Sequence, residues 1–100
     1  MNSHGKGRDR NAALYSALLK LKTPEECYAF FEDLCTVSEQ MAMEQRFEVA
    51  QLLDKGCIYS DVLEKTGVSS ATVSRVKRCL NFGAGGYRTV LDRMAEDKRS

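Results

Sequence analysis

Apolar residues recur along the chain with the spacing of α-helices. A first stripe joins Leu14, Leu18 and Leu21 within a helix expected over about residues 10–21. Between residues 27 and 35 the apolar positions follow the i, i+3, i+4, i+7, i+8 series without a polar interruption. No stretch alternates apolar and polar residues for long enough to indicate a strand. The pattern therefore predicts an all-α chain of about six helices.

Two capping patterns mark where helices begin. Thr23 can accept a hydrogen bond from an unpaired amide as an N-cap, Pro24 suits the first helical position, and Glu26 can complete a capping box. A second capping-box pattern over residues 36–39 predicts a third helix that extends to about Asp54. A last helix follows the glycine-rich segment after Asn81 and Phe82. Its apolar stripe is formed by Tyr87, Val90, Leu91 and Met94.

The third predicted helix is apolar on more than one face. Its apolar residues are Met41, Ala42, Met43, Phe47, Val49, Ala50, Leu52 and Leu53. A helix that is apolar nearly all round is buried on several sides. We expect it to be either the central helix of the domain or a dimer interface, and we predict a homodimer that uses the first three helices.

The most informative stretch runs from about residue 59 to residue 81. A short helix over about residues 60–65 is followed by Thr66, Gly67 and a second helix that begins after Ser69. Gly67 stands where a sharp turn requires positive φ, and Ser69 can cap the next helix. Thr66 is polar where an apolar residue is common. The residues spaced to bury the hinge are Val62, Val68, Val73 and Val76. The stretch predicts a helix-turn-helix.

Charge is unevenly distributed, although the net charge is only +1. Residues 25–54 carry eight acids and one base, whereas residues 65–91 carry five bases and no acid. Phosphate binding needs a local basic surface and does not need a basic protein. The basic block therefore favours nucleic-acid binding over the alternative of an ordinary solvated helix face.

A helical projection separates the two faces of the second helix in the motif. Val73, Val76 and Leu80 point inward. Small residues at the N-terminal end allow close approach to a major groove, arginine can pair with guanine or phosphate, and the helix N-terminus favours a phosphate. The residues expected to contact DNA are Ser69, Ser70, Ala71, Thr72, Ser74, Arg75, Lys77 and Arg78.

The cysteine and histidine content excludes several kinds of site. Cys27, Cys35, Cys57 and Cys79 form no Cys-x-x-Cys pair, and the single histidine is His4 in the polar N-terminal segment. Zinc needs closely spaced ligands, so we expect no metal, and we expect buried reduced thiols rather than a disulfide. No Ser/His or Cys/His pairing can be built, so neither catalysis nor a cofactor is expected.

The length of 100 residues is that of one small domain. Residues 1–11 are polar and are expected to be disordered, which leaves one helical domain over residues 12–97. No apolar run approaches the roughly 18–20 residues that span a bilayer, and no signal-peptide pattern is present. We therefore expect a cytoplasmic protein that does not bind membranes.

From about residue 36 to residue 80 the chain resembles the Trp repressor family, and in particular its Trp-repressor-like YerC/YecD branch. The segments that carry the resemblance are EECYAFFEDLCT at residues 25–36, the run to Gly56 that contains Arg46, and TGVSSATVSRVKRCLNFG at residues 66–83. The resemblance implies an intertwined all-helical homodimer that presents two DNA-binding heads to a palindromic operator.

In tryptophan-responsive members of that family, the corepressor lies between two arginines with threonines nearby. The matching positions are Thr36, Arg46, Thr72 and Arg75. Val76 stands where those members have a small residue, and the segment from Gly56 to Gly67 is one residue shorter than theirs. We therefore expect this protein to bind DNA without tryptophan.

Three interpretations remain open from the sequence. The leading one is a dimeric DNA-binding transcriptional regulator, a repressor by resemblance. A ligand-dependent repressor with an amino-acid-type corepressor at Arg46 and Arg75 is the second, and a helical protein–protein adaptor that uses its acidic block is the third. A purely structural role for Arg46 is also open. Its partner would then be Glu39, Glu44 or Glu48.

Overall fold

The computed structural model describes residues 10–99 of the chain, and in that range it contains six helices and no strand. The helices are α1 (Ala12–Leu18), α2 (Pro24–Leu34), α3 (Val37–Asp54), α4 (Tyr59–Thr66), α5 (Ser70–Phe82) and α6 (Gly86–Arg99). The predicted all-α fold is confirmed. Residues 1–9 lie outside the described residues, so the polar, disordered N-terminus remains a prediction.

The helices belong to two compact units, of which the first ends at Thr36 and contains α1 and α2. Asn11 caps α1, because its side-chain oxygen accepts a hydrogen bond from the amide of Leu14 at 3.2 Å. The helix ends at Leu18, three residues earlier than predicted. The amide of Leu21 bonds to the carbonyl of Leu18 in a tight turn at 3.2 Å. The helix cannot extend through Thr23, since a residue before proline takes extended backbone, as Thr23 does.

The start of α2 forms as predicted. The hydroxyl of Thr23 accepts a hydrogen bond from the amide of Glu26 at 3.1 Å, and Pro24 is the first helical residue. The carboxylate of Glu26 accepts a hydrogen bond from the amide of Lys22 at 2.8 Å. In the usual capping box this carboxylate bonds to the amide of the capping residue itself, so here it reaches one residue further back.

The first unit leaves its apolar side chains partly uncovered within one chain. Among the described residues, α1 and α2 contain no buried residue. Phe30 and Phe31 meet edge to face with ring centroids 5.7 Å apart, yet both are only half-buried, and Leu34 is 50% exposed. Two short helices cannot enclose a core, so these side chains still face solvent in a single chain.

The second unit, from Val37 onward, holds the core. Its buried cluster is Val49, Ala50, Val62, Val73 and Val76. Helix α3 contributes to it only through its C-terminal half, which packs against α4 and α5. Met41 in the N-terminal half is 52% exposed. Within a single chain the first half of α3 is therefore left uncovered, because α4 and α5 cover only the second half, and the expected dimer interface remains a prediction.

Helix α6 packs against α5 and also contacts α3 through an ion pair and an aromatic stack. Tyr87 stacks on Phe47 with ring centroids 6.4 Å apart, and Leu91 is buried. Arg88 forms ion pairs with Asp54 on α3 at 2.8 Å and with Asp92 on its own helix at 2.9 Å. The predicted apolar stripe on α6 is thus covered at two positions, while its other members remain exposed.

All four cysteines are free thiols, and each is half-buried. The expectation of fully buried thiols is therefore wrong, because none of the four cysteines belongs to the buried core cluster and each is only partly covered. Between residues 10 and 99, no three potential ligand residues are grouped closely enough to hold a metal ion. In the same part of the chain, no helix has the length and apolar character needed to cross a bilayer.

Candidate nucleic-acid interface

Helices α4 and α5 and the turn between them form the predicted helix-turn-helix. Gly67 ends α4 with φ of 71° and ψ of 8°, and its amide donates to the carbonyl of Leu63 at 2.9 Å. Ser69 then caps α5 by accepting a hydrogen bond from the amide of Thr72 at 3.1 Å. The positive φ and the cap are both as predicted, and α4 is one residue longer at each end than expected.

Thr66 explains why a polar residue is tolerated beside the turn. Its hydroxyl donates to the carbonyl of Val62 at 2.8 Å and accepts from the amide of Val68 at 3.3 Å. The Val62 carbonyl lies one turn before the end of α4, and the Val68 amide lies beyond the helix, where helical hydrogen bonds run out. The Thr66 hydroxyl therefore links the last turn of α4 to Val68 through two hydrogen bonds, which an apolar side chain could not form.

The inward face of α5 anchors the motif to the core. Val73 and Val76 are buried, and they pack in one cluster with Val62 of α4. Val68 and Leu80 are half-buried and pack against this cluster. The valine spacing thus has the predicted effect, since it fixes which side of α5 faces outward.

The outward face of α5 carries most of the residues predicted to contact DNA. Those that are exposed are Ser69, Ser70, Ala71, Ser74, Arg75, Lys77 and Arg78. Thr72 is the exception, because it is half-buried and its hydroxyl lies 3.0 Å from that of Ser69. Thr72 therefore stabilises the start of the helix, and its side chain is less available to DNA than its neighbours.

The basic side chains on this face are free to bind anions. Arg75, Lys77 and Arg78 form no ion pair with any residue in the described part of the chain. Arg88 belongs to the same basic block of the sequence but is paired with two carboxylates. Its hydrogen bond to Asp54 lowers the pKa of that carboxyl from its ordinary value. The block therefore offers three unpaired cations on α5.

The C-terminal part of α5 borders open clefts that combine cations with an aromatic ring. Arg75, Arg78 and Cys79 line a cleft of about 400 Å³ together with Phe82, which is 84% exposed. The cleft thus places one exposed aromatic ring beside two arginines. No pattern in the sequence distinguishes Phe82 apart from its position at the end of α5.

Tyr59, the first residue of α4, is a second residue that no sequence pattern distinguishes. Its hydroxyl donates to the carbonyl of Ser70 at 3.0 Å and lies 3.4 Å from the hydroxyl of Ser74. These partners are 11 and 15 residues away along the chain. No local pattern in the sequence signals a contact at that separation.

The four positions matched to a corepressor pocket are distributed over both compact units. Thr72 and Arg75 lie one turn apart on α5, Arg46 is half-buried on α3, and Thr36 is the last residue of the first unit. Within the part of the chain that the structure describes, Arg46 forms no ion pair. The alternative in which Arg46 pairs with a glutamate of its own helix is therefore not observed.

Comparison with known proteins agrees with this architecture. Residues 10–95 match the family described as Trp repressor protein. The uncharacterized protein YerC of Bacillus subtilis (strain 168) is 51% identical over 83 residues, which cover 83% of this chain and 80% of YerC.

Two solved structures are similar over most of the chain. A TrpR-like protein from Eubacterium eligens ATCC 27750 is 49% identical with a TM-score of 0.80, over 84% of this chain and 87% of that protein. A candidate Trp repressor from Staphylococcus aureus is 46% identical with a TM-score of 0.81, over 86% and 89% of the two chains. The chain therefore belongs to the Trp repressor protein family, a family of DNA-binding transcription regulators.

Proposed function

We propose that this protein is a sequence-specific transcriptional regulator that binds a double-stranded DNA operator through α4 and α5. The observation that carries the proposal is the outward face of α5, where Arg75, Lys77 and Arg78 are exposed and unpaired within the described residues. An acid-free helix face with three free cations is complementary to DNA phosphates and to guanine edges.

The shape of α5 suits insertion into a major groove. Its N-terminal end presents Ser70, Ala71 and Ser74, all exposed and small, so the helix backbone can approach base edges closely. The cap at Ser69 leaves amides of the first turn directed outward, where a phosphate binds favourably. Arg75 and Arg78 lie further along the helix, where they can contact a guanine edge or the phosphate backbone.

We propose further that the protein acts in the cytoplasm as a homodimeric repressor. The support is the uncovered apolar surface of α1, α2 and the first half of α3, including Leu34 and Met41. Burial of apolar surface stabilises association by roughly 25 cal/mol per Å². Two copies of the helix-turn-helix would then bind a palindromic operator, since two-fold protein symmetry matches two-fold DNA symmetry.

We propose that tryptophan is not required for DNA binding. Val76 is 1% exposed and packs in the valine cluster, so its β-branched side chain cannot easily move aside for an indole ring. The second candidate function is a repressor that needs another amino-acid-type corepressor. It is favoured by Arg46, a half-buried cation without an ion pair among the described residues, which could bind a carboxylate together with Arg75.

The adaptor interpretation has less support, because it assigns no role to the free cations on α5. We expect no enzymatic activity and no resident cofactor, in line with a family of regulators. Selection of bound sequences from a random duplex pool, with and without candidate amino acids, separates the regulator from the adaptor and reveals any corepressor.

The proposed interface is tested by Arg75→Ala and Arg78→Ala, measured against the selected operator over a salt series. A base contact should cost about 1–3 kcal/mol and relax sequence preference, whereas a phosphate contact should lower the salt slope by about one unit. Arg93→Ala on α6 is the matched control, since Arg93 is exposed and lies outside α5. Unchanged binding by the double variant of α5 would exclude the interface.

A further inference from the structure

Tyr59 links the first helix of the motif to the outward face of the second. Its hydroxyl donates a hydrogen bond to the carbonyl of Ser70 at 3.0 Å. The same oxygen lies 3.4 Å from the hydroxyl of Ser74, one helical turn further along α5. Ser74 is exposed on the face that we assign to DNA. A residue of α4 is therefore bonded to a side chain that is placed to contact bases.

The number of protons at this site decides the direction of the second hydrogen bond. A tyrosine hydroxyl carries one proton, and a carbonyl oxygen can only accept. The proton of Tyr59 is therefore committed to Ser70. In the contact with Ser74, the tyrosine oxygen must accept and the serine must donate. The only proton of the Ser74 hydroxyl is thus directed toward Tyr59.

The consequence is that Ser74 offers only lone pairs to a molecule that approaches α5. In the major groove, adenine and cytosine present an amino group that donates, whereas guanine and thymine present only acceptors. A free serine hydroxyl can bond to any base because it can rotate. While it donates to Tyr59, the Ser74 hydroxyl can bond only to a base that donates.

We propose that Tyr59 is a specificity-determining positioning residue: it holds Ser74 as a hydrogen-bond acceptor and thereby selects adenine or cytosine on the strand that Ser74 faces. The inference rests on the proposed function, because it requires that α5 enters the major groove. Tyr59 acts through Ser74 and need not contact DNA itself.

A purely structural role for Tyr59 predicts a different result. If the Tyr59 hydroxyl only stabilised the packing of α4 against the first turn of α5, its removal would weaken binding to every DNA sequence equally. The positioning role predicts a loss of preference at one base pair, with preferences at other positions unchanged. The two roles are separated by the base preference at each position rather than by overall affinity.

The experiment is selection from a random duplex DNA pool with the full chain and with Tyr59→Phe, Ser74→Ala and the double variant. We expect the wild-type protein to prefer adenine or cytosine at one position by about three- to tenfold, the effect of one ordinary hydrogen bond. Each single variant should lose that preference. The double variant should resemble Ser74→Ala, since Tyr59 acts through the serine.

Tyr87→Phe is the matched control. It removes the same atom from a tyrosine that stacks on Phe47, away from α5's outward face, and it should leave the selected sequences unchanged. A Tyr59→Phe variant that keeps the wild-type preference, or that weakens binding to all sequences equally, would overturn the inference but not the proposed function. If the wild-type protein enriched no sequence, the proposed function would fail, and this inference with it.

Discussion

Replacement of Gly67 by alanine tests whether backbone conformation fixes the turn between α4 and α5. Gly67 has φ of 71°, in the left-handed region that residues with a Cβ atom rarely adopt. A Cβ atom built at this position meets no other atom within 4 Å. The cost of Gly67→Ala is therefore backbone strain alone, without a steric collision.

The magnitude follows from two opposing effects. Left-handed backbone costs a residue with a Cβ atom roughly 1–2 kcal/mol. Alanine also restricts the unfolded chain, which by itself stabilises a protein by about 0.4–1 kcal/mol. We expect Gly67→Ala to lower the free energy of unfolding by about 1 kcal/mol, and the melting temperature by about 4–8 °C for a domain of this size. Gly67→Asn should cost less, because asparagine tolerates this conformation.

Urea and thermal unfolding at matched protein concentration measure this effect, since the stability of a dimer depends on concentration. Gly86→Ala is the control. Gly86 begins α6 without positive φ, and a Cβ atom there also meets nothing within 4 Å. It should be neutral or stabilise by up to about 1 kcal/mol. If Gly67→Ala and Gly86→Ala lowered the free energy of unfolding equally, or if Gly67→Ala did not lower it, the argument from backbone strain would be refuted.

Three further predictions concern assembly, ligand and pH. Sedimentation should show a homodimer at micromolar concentration, and a folded monomer there would contradict the proposed interface. Calorimetry should detect no saturable tryptophan binding, and micromolar binding with a matching rise in operator affinity would show that Val76 leaves room for an indole. Asp54→Asn should destabilise the protein at pH 7. Because the hydrogen bond from Arg88 lowers the folded pKa of Asp54, this stabilisation is present above the ordinary pKa of the carboxyl and is lost as pH falls through the lowered pKa. The difference between the free energies of unfolding of variant and wild type, measured with urea, should therefore become smaller in acid. A difference that does not change with pH would contradict a stabilising Arg88–Asp54 ion pair.

The local features of the fold could be predicted because their causes lie within a few residues. The cap at Thr23, the cap at Ser69 and the left-handed turn at Gly67 all depend on neighbours one to four positions away. The inward face of α5 follows from helical periodicity, which separates Val73 and Val76 from the arginines. These local rules were sufficient to predict the helix-turn-helix and the direction of its exposed basic face.

Features that depend on distant partners were not predictable in the same way. The end of α1 at Leu18 and the exposed first half of α3 are set by where the chain turns and by how far α4 and α5 reach. In the sequence, Arg88 belongs to a basic block without acids. In the fold, its guanidinium lies 2.8 Å from the carboxylate of Asp54. Periodicity reports which face of a helix is apolar, but it does not report what covers that face.

The sequence by itself determined the helical architecture, the helix-turn-helix and the set of residues on its outward face, because hydrophobic period and capping chemistry act locally. Only the tertiary structure decided which cations of the basic block are free to bind, as it paired Arg88 on α6, left Arg75, Lys77 and Arg78 without an ion pair among the described residues, and brought Tyr59 to Ser74. The physical reason is that a hydrogen bond or an ion pair forms only within a few ångströms. The packing of helices around the valine core determines which distant residues come that close.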